Sequence, residues 1–272
     1  MSAQLREAAS VILLRRDRDD ARNFEVFLVR RRKGASFMAS AYVFPGGGAE
    51  PGEDARTAAA RELFEEAGVL LARDASEYEA ETLEVPVQAQ LRRQILDGRD
   101  AGEVMKMAKL TWSVDALVPW SHWITPSIEP KRFSARFFVC ELPSGQQPSF
   151  DDIETVDQAW VRPRDAAARA GELQLPPPQL RTMWELAQLD TIEGVLAAGR
   201  ARAEEPHPIL PRLKQQDGAV CLLLPWDPEY TEGTGDAAPL TYTPRWAIGP
   251  SRFVLEDRAW KHVAAPGSTT AG

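Results

Sequence analysis

Short runs of hydrophobic residues, bounded by charged ones, mark the first strands of this 272-residue chain. The stretches AASVILLRR (8–16) and NFEVFLVRR (23–31) predict two strands, and the charged turn DRDDAR (17–22) between them predicts a hairpin. The stretch SAYVFPGGG (40–48) predicts a short strand that ends in a glycine-rich turn.

A helical spacing replaces the strand pattern after these glycines. From about Glu53 to Ala67 the apolar residues recur at i, i+3, i+4 and i+7, which predicts an amphipathic helix; they are Ala60, Leu63, Phe64 and Ala67. Gly68 follows where a left-handed cap is needed. We expect the apolar stripe to pack on the sheet, because the polar residues lie on the other side.

The remaining pattern predicts one α+β domain with additions. Residues 74–113 carry two helical segments, VQAQLRRQIL and AGEVMKMAKL, which predict a helical insertion between two parts of a mixed sheet. The later elements are strands in residues 115–126 and 132–143, a short helix at 164–170, helices from Gln179 to Leu189 and from Ile192 to Ala203, and β-rich stretches at 218–230 and 251–263. We predict a domain over residues 1–205, a β-rich C-terminal extension over 206–263 packed on it, and a flexible tail over 264–272.

Composition narrows the class of protein. The chain is 44% hydrophobic and 26% charged, as in ordinary globular proteins, and its net charge is -8. An acidic surface argues against nucleic-acid binding, yet it leaves room for an anionic small molecule at a site with local positive charge or a metal. No stretch approaches the roughly 20 apolar residues of a membrane span. Two distant cysteines, Cys140 and Cys221, favour reduced thiols and a cytoplasmic protein.

Three glutamates, Glu62, Glu65 and Glu66, lie within one third of the circumference of the predicted helix. A solvated acidic face is the simplest interpretation of such a cluster. However, like charges at these spacings repel one another, and they lie toward the helix C-terminus, where the helix dipole disfavours anions. A divalent cation such as Mg²⁺ or Mn²⁺ would favour the arrangement, because it binds carboxylate oxygens and retains positions for a phosphate.

The glycines and glutamates together form a long pattern of fixed spacing. Gly47 is followed after five residues by Glu53, and after seven more by the run RELFEEAGV (61–69). This run resembles the Nudix box, complete and without gaps. The resemblance implies a Nudix fold, a mixed β-sheet sandwiched between helices, and hydrolysis of a nucleoside diphosphate linked to another moiety. It also implies Mg²⁺ or Mn²⁺ held by Glu62, Glu65, Glu66 and the carbonyl of Gly47, with Glu53 and Arg61 orienting the glutamates.

Residues outside the box are further candidates. A general base could come from the box or from the stretch FDDIETV, which offers Asp151, Asp152 and Glu154, of which we favour Glu154. In the cluster Arg30–Lys33, Arg31 is the candidate for binding phosphate, although most such clusters are solvated. Trp120 and Trp123 are expected on opposite faces of a strand, one of them over the substrate; two core tryptophans are the alternative.

The resemblance extends beyond the box to a subgroup. The stretches GASFMASAYVFPGG, LQLPPPQLRTMWELAQL and CLLLPWDPEY are similar to the Nudix coenzyme A diphosphatases of peroxisomal type. This implies cleavage of coenzyme A or acyl-CoA to 3′,5′-ADP and (acyl-)phosphopantetheine, and it suggests that LPPPQ shapes the pocket. Ser36 and Ser40 replace an arginine and a glycine of the coenzyme A signature.

Two alternatives to coenzyme A stay open. One is a diphosphatase for ADP-ribose, NADH or nucleotide sugars, and the other is a non-catalytic Nudix-fold nucleotide sensor. The expected partner is a small nucleotide-type molecule, with no nucleic acid and no membrane. A homodimer is also predicted, because eight tryptophans and the C-terminal extension could form an interface.

Overall fold

The computed structural model of the chain describes residues 4–20, 23–34, 38–74, 85–216, 218–235, 238, 240 and 242–266. Within them, a mixed sheet of eight strands forms the centre of the molecule. The strands are β1 (Leu5–Arg16), β2 (Phe24–Arg31), β3 (Tyr42–Val43) and β4 (Gly46–Gly48); β5 (Ala72–Asp74) and β6 (Leu110–Trp112) pair separately; β7 (Val118–Ile124), β8 (Arg132–Glu141), β9 (Thr155–Val161) and β10 (Pro208–Ile209) complete the main sheet.

The long strand β1 organises this sheet. One edge pairs in parallel with β8 from Leu5 to Leu14, and the other edge pairs antiparallel with β2 and, nearer the start of the chain, with β4. The predicted hairpin of β1 and β2 is therefore confirmed. Because β4 pairs with Ala8–Ser10, the glycine-rich turn is fixed directly against the central strand.

Helices cover both faces of the sheet, as predicted. They are α1 (Ala55–Ala67), α2 (Val85–Leu96), α3 (Ala101–Met107), α4 (Pro163–Ala166), α5 (Ala170–Leu173), α6 (Pro177–Leu186) and α7 (Ile192–Glu204). Alternate residues of each strand face opposite layers. Val11 and Leu13 pack with α1, whereas Ile12 and Leu14 pack with α6 and α7. The α+β fold with a mixed sheet sandwiched between helices is confirmed.

Helix α1 begins two residues later than predicted. Asp54 caps it, and its carboxylate accepts hydrogen bonds from the backbone N–H groups of Arg56 and Thr57. Glu53 thus lies outside the helix. At the other end Gly68 has φ 69°, the left-handed conformation predicted for it, and its N–H donates to the carbonyl of Phe64.

The predicted insertion consists of α2 and α3, and it is framed by the antiparallel pair of strands β5 and β6. Residues 75–84 of the insertion lie outside the described part. The sequence pattern continued the second helix to Leu110, which was wrong, because α3 ends at Met107 and Leu110 begins β6. The insertion has its own core, in which Leu91, Ile95 and Val104 pack against Phe64 of α1. It therefore covers one side of the box helix.

The C-terminal region forms a second sheet of β11 (Arg212–Gln216), β12 (Ala219–Leu223), β13 (Arg252–Glu256) and β14 (Ala259–Val263). The strand β10, inside the predicted extension, instead pairs with β7 in the main sheet. Of the predicted tail, residues 267–272 lie outside the described part, and Ala265 is buried. Among the described residues, no helix has both the length and the apolar character needed to cross a membrane.

Candidate active site

The glycine-rich turn lies directly over the first of the box glutamates. A Cβ atom built on Gly47 would lie 2.5 Å from Oε1 of Glu62 and 2.7 Å from its Oε2. Any larger residue would have to displace this carboxylate, so glycine is the residue that leaves the position of Glu62 unchanged. The backbone of the turn and the carboxylate of Glu62 are thereby held in contact.

Arg61 is the centre of the network that holds the box together. Its Nε and Nη2 donate to the two carboxylate oxygens of Glu53 at 3.0 Å each, and Nη2 also donates to the carbonyl of Gly48 at 2.8 Å. Its Nη1 donates to Glu62 at 3.0 Å and to Glu65 at 3.3 Å. A buried guanidinium thus links the loop to two glutamates, which is the positioning role expected for Arg61 and Glu53.

The glutamates are not a solvated acidic face, so that interpretation was wrong. The side chains of Glu62, Glu65 and Glu66 are 12%, 22% and 3% exposed. Glu66 accepts a hydrogen bond from the N–H of Gly46 at 2.8 Å. Burial raises the pKa of Glu62 to about 7 and raises the pKa of Glu65 and, strongly, that of Glu66.

Like charges reinforce this effect. Glu65 and Glu154 each raise the pKa of Glu62, and Glu62 and Glu154 each raise the pKa of Glu66, whereas Arg61 and Arg31 act in the opposite direction. Arg61, which contacts Glu62 and Glu65, is insufficient to neutralise all three glutamates. A buried, incompletely neutralised set of carboxylates is typical of a functional site.

A cleft of about 490 Å³ collects most of the predicted site residues. The box contributes Gly47 and the three glutamates; the residues from elsewhere in the chain that we predicted and that line the same cleft are Arg31, Asp151, Glu154 and Trp123. Its apolar walls include Phe44 and Phe137 from the region of the main sheet and Ile95 from the insertion. The volume is suited to a small molecule.

The loop after β8 separates its three acidic residues into different roles. The carboxylate of Asp151 accepts hydrogen bonds from the N–H groups of Glu154 and Thr155, so it stabilises the turn. Asp152 lies 3.8 Å from Arg32 at the surface. Asp151 and Glu154 both line the cleft, but only Glu154 raises the pKa of two box glutamates, and the carboxylate of Asp151 is engaged by the backbone. Glu154 is therefore the loop carboxylate better placed to act with the box.

The prediction that Trp120 and Trp123 point to opposite faces was wrong. A β-bulge between Pro119 and Ser121 shifts the register of β7 against β8. The extra residue returns Trp123 to the face that Trp120 occupies, and both rings belong to one core cluster. Only Trp123 lines the cleft; the indole N–H of Trp120 donates to Glu185 at 3.0 Å, in a different part of the core.

The donor set fits a hard divalent cation by its chemistry. The carboxylates of Glu62, Glu65 and Glu66 line one cleft beside the backbone of Gly47. Their raised pKa values mean that their charged forms are disfavoured, and a bound cation would stabilise those charged forms. In the part of the chain that the structure describes, no three His, Cys, Asp or Glu side chains converge as a ready-made metal site. Glu62 and Glu65 are turned toward Arg61 instead.

Sequence reasoning missed one contributor to the site, Arg92, and anticipated another, Gln179, only as part of the LPPPQ stretch. Arg92 of the insertion donates from Nε and Nη2 to the carbonyl of Glu65 at 3.0 and 2.8 Å, and so caps the end of the box helix. Gln179, in the first turn of α6, lines the cleft beside Pro178. The LPPPQ stretch was a signal for Gln179, whereas no local pattern in the sequence pointed to Arg92.

The sequence of this chain matches a known protein family. Residues 51–189, just over half of the chain, match the family described as the NUDT19 Nudix domain. The chain belongs to the NUDT19 Nudix domain family. The match includes the whole box helix, the helical insertion and strands β7–β9, so this family accounts for most of the cleft.

Relatives of the NUDT19 Nudix domain support the same placement. The chain is 27% identical to the acyl-coenzyme A diphosphatase NUDT19 of Xenopus laevis, over 61% of this chain and 60% of that protein. It is 33% identical to the human protein of the same name, over 65% of this chain and 51% of that protein. The chain thus spans between half and two thirds of the length of these relatives. A crystal structure of a Nudix hydrolase from Alicyclobacillus acidocaldarius has a TM-score of 0.63 at 25% identity, and covers 72% of this chain and 96% of that one.

Proposed function

We propose that this protein is a metal-dependent Nudix diphosphatase, and that its substrate is coenzyme A or acyl-CoA, which it cleaves to 3′,5′-ADP and (acyl-)phosphopantetheine. The observation that carries the proposal is the cleft that Glu62, Glu65 and Glu66 line together with Arg31 and Glu154. The relatives named acyl-coenzyme A diphosphatase support the choice of substrate.

The residues of the chain have separate tasks in this proposal. Nudix hydrolases generally use divalent metal ions; Mg²⁺ or Mn²⁺, bound by the three glutamates and the carbonyl of Gly47, would supply charge neutralisation at the diphosphate. Arg31 binds a phosphate oxygen through its guanidinium. Glu154 takes the proton of the attacking water, for which a carboxylate at the edge of the cleft is suited.

Arg61 acts through the glutamates and does not contact the substrate. Because it holds Glu53, Glu62 and Glu65 at once, it fixes the carboxylates before the substrate binds. Such preorganisation removes a reorganisation cost from the reaction. We expect Arg61 to be a positioning residue.

Another adenosine diphosphate compound, such as ADP-ribose, NADH or a nucleotide sugar, is the second candidate substrate. One observation favours it: Ser40 replaces a glycine of the coenzyme A signature, although the backbone there keeps the left-handed conformation with φ 65°. The other replaced position, Ser36, lies outside the described residues. A sensor without turnover is not favoured, since all the box carboxylates are kept.

A substrate panel tests the proposal directly. The purified protein is assayed with coenzyme A, acetyl-CoA, ADP-ribose and NADH, each with Mg²⁺, with Mn²⁺ and with EDTA. We expect 3′,5′-ADP from the coenzyme A compounds, only with metal, and a loss of at least about 100-fold in Glu65→Gln and Glu66→Gln. Glu193→Gln on the surface of α7 is the matched control and should retain full activity.

Each other outcome points to a different conclusion. Turnover of ADP-ribose without attack on coenzyme A would support the second candidate substrate. Full activity in EDTA, or in both glutamine variants, would refute the metal-dependent mechanism.

The cytoplasmic location and the homodimer stay predictions. The two cysteines, Cys140 and Cys221, are free and buried, which suits a reducing compartment.

A further inference from the structure

Buried polar atoms without a protein partner concentrate in the cleft. In the described part of the chain, seven buried side-chain nitrogen or oxygen atoms have no hydrogen-bond partner, and three of them belong to residues that line the cleft. These three are Nε of Arg31, Nε1 of Trp123 and Oε1 of Gln179. Because an unpaired buried polar group is costly, three around one cavity indicate that a ligand completes them.

Gln179 is held rigidly in this position. It is 5% exposed and occupies the first turn of α6, after Pro176, Pro177 and Pro178. Prolines fix the backbone and lack an N–H group, and the N–H of Leu180 bonds to the carbonyl of Pro176 at 2.9 Å. The three prolines therefore offer no N–H group to the side-chain oxygen of Gln179.

The chemistry of the unpaired atoms separates two kinds of recognition. The guanidinium of Arg31 is a charged donor and suits the diphosphate. The amide oxygen of Gln179 accepts only from a donor, so it does not suit a phosphate, and the indole N–H of Trp123 needs an acceptor. Phe44 and Phe137 add apolar walls to the same cleft. A neutral planar group that carries both a donor and an acceptor fits these two residues.

We propose that Gln179 is a specificity-determining residue, which together with the indole N–H of Trp123 hydrogen-bonds a neutral donor–acceptor edge of the substrate. Two groups of the proposed substrate have this chemistry: the edge of the adenine, and an amide of the pantetheine arm. The inference rests on the proposed function, because both groups belong to coenzyme A and its thioesters. Arg31 and the glutamates act on the charged half of that ligand.

Binding of the two product halves tests this without turnover. We would measure the Kd of 3′,5′-ADP and of 4′-phosphopantetheine by calorimetry, in wild type, Gln179→Leu, Trp123→Phe and the double variant. Each single substitution should weaken one of the two ligands by about 3- to 10-fold, the usual effect of one neutral hydrogen bond, and leave the other unchanged. The ligand that weakens identifies the group that is recognised.

Stability separates recognition from a structural role. Since Oε1 of Gln179 has no partner among the described residues, leucine should not lower the melting temperature, while it weakens binding. Trp226→Phe is the matched control, because the Nε1 of Trp226 is also buried and unpartnered in the described part of the chain but does not line the cleft. It should leave both Kd values unchanged.

Two results would overturn the inference. One is an unchanged Kd for both ligands in Gln179→Leu, and the other is a lowered melting temperature with a proportional loss of both ligands. If the wild-type protein hydrolyses none of the panel substrates, the proposed function fails, yet these binding measurements still decide the role of Gln179.

Discussion

Two buried arginine–glutamate networks lie on the two sides of the main sheet, and they differ in how their charges balance. On α1, Arg61 contacts Glu53, Glu62 and Glu65, so that one cation faces three anions. On α6 and α7, Glu185 lies between Arg181 and Arg202, so that one anion faces two cations.

The second network has further partners that the first lacks. Arg181 donates to the carbonyls of Ile248 and Pro250, and Trp120 donates to Glu185. The ring of Trp120 also lies 3.9 Å from the guanidinium carbon of Arg202. This network joins α6 to the C-terminal region, and its acid is fully engaged, whereas the carboxylates of the first network line a cleft. The difference indicates that one network stabilises the fold and the other is incomplete without a ligand.

The same substitution in both networks should have opposite effects on stability. Glu185→Gln leaves the charge of Arg181 and Arg202 uncompensated, and removal of one partner of a buried pair costs about 3–5 kcal/mol, so we expect the melting temperature to fall by roughly 6–20 °C. Glu62→Gln removes a charge that burial and its neighbours disfavour, so its melting temperature should rise by at least about 2 °C at pH 8 in EDTA.

The sign for Glu62 follows from its pKa. The pKa of its carboxyl is about 7 in the folded protein, above its ordinary value of 4.5. The folded state therefore binds more protons between these values, and its stability decreases as the pH rises through about 7. Differential scanning calorimetry of both variants checks the prediction. If Glu62→Gln melted below wild type at pH 8, the contrast between the networks would be wrong.

Arg61→Lys tests whether the first network acts by geometry or by charge alone. Lysine keeps the positive charge but cannot contact Glu53 at both carboxylate oxygens and reach Glu62 as well. We expect kcat to fall by about 10- to 100-fold, as for other residues that orient ligands of a metal, with little change in KM. Arg56→Lys in the first turn of the same helix is the control. Unchanged kcat in Arg61→Lys would mean that charge is sufficient.

His262 makes the C-terminal side sensitive to acid. Its ring stacks on Phe253 at 4.6 Å, and its Nε2 lies 3.0 Å from the carbonyl of Pro250. Burial, and then the charge of Arg181, lower its pKa from 6.5 to about 3. The unfolded chain therefore takes up a proton below about pH 6.5 that the folded protein does not, and stability is lost as the pH falls toward 3.

The loss of stability through His262 is measurable. Between pH 6.5 and 5 the linkage amounts to about 2 kcal/mol, or roughly 4–8 °C in melting temperature. We expect His262→Phe to reduce this pH dependence. The same slope in wild type and in His262→Phe would assign the acid sensitivity to other groups.

The sequence predicted the first network far better than the second. Its members from Glu53 to Glu66 are close along the chain, so helical geometry alone brings the glutamates to one side. The second network joins Trp120, Glu185 and Arg202 with carbonyls after residue 245, and such contacts depend on how distant segments pack. No periodic pattern in the sequence predicts these contacts.

Errors in the strands have the same origin. Alternation along β7 placed Trp120 and Trp123 on opposite faces, and a single extra residue at the bulge reversed that result. The LPPPQ stretch was expected to shape the pocket, but the unpaired oxygen of Gln179 becomes evident only when α6 packs against the cleft. The positions of the box residues were therefore predictable, and those of the other cleft walls were less so.

Backbone strain occurs in both regions. Near the cleft, non-glycine residues adopt positive φ, at 51° in Met38 and 65° in Ser40. On the C-terminal side, Asp257 and Arg258 also have positive φ, at 48° and 67°, in the turn between β13 and β14. A left-handed conformation costs a non-glycine residue about 1–2 kcal/mol.

Ser40→Gly should relieve this cost. Because glycine also loses more entropy on folding, the net gain should be about 0.5–1 kcal/mol, or roughly 1–4 °C in melting temperature, with Ser40→Ala as the control that keeps the strain. Glycine is also the residue of the coenzyme A signature at this place, so kcat/KM for coenzyme A and for ADP-ribose should be measured in the same variant. A stabilised variant with an unchanged ratio between the substrates would show that Ser40 affects the backbone only. A destabilised variant would mean that the serine side chain has a role that its left-handed backbone does not explain.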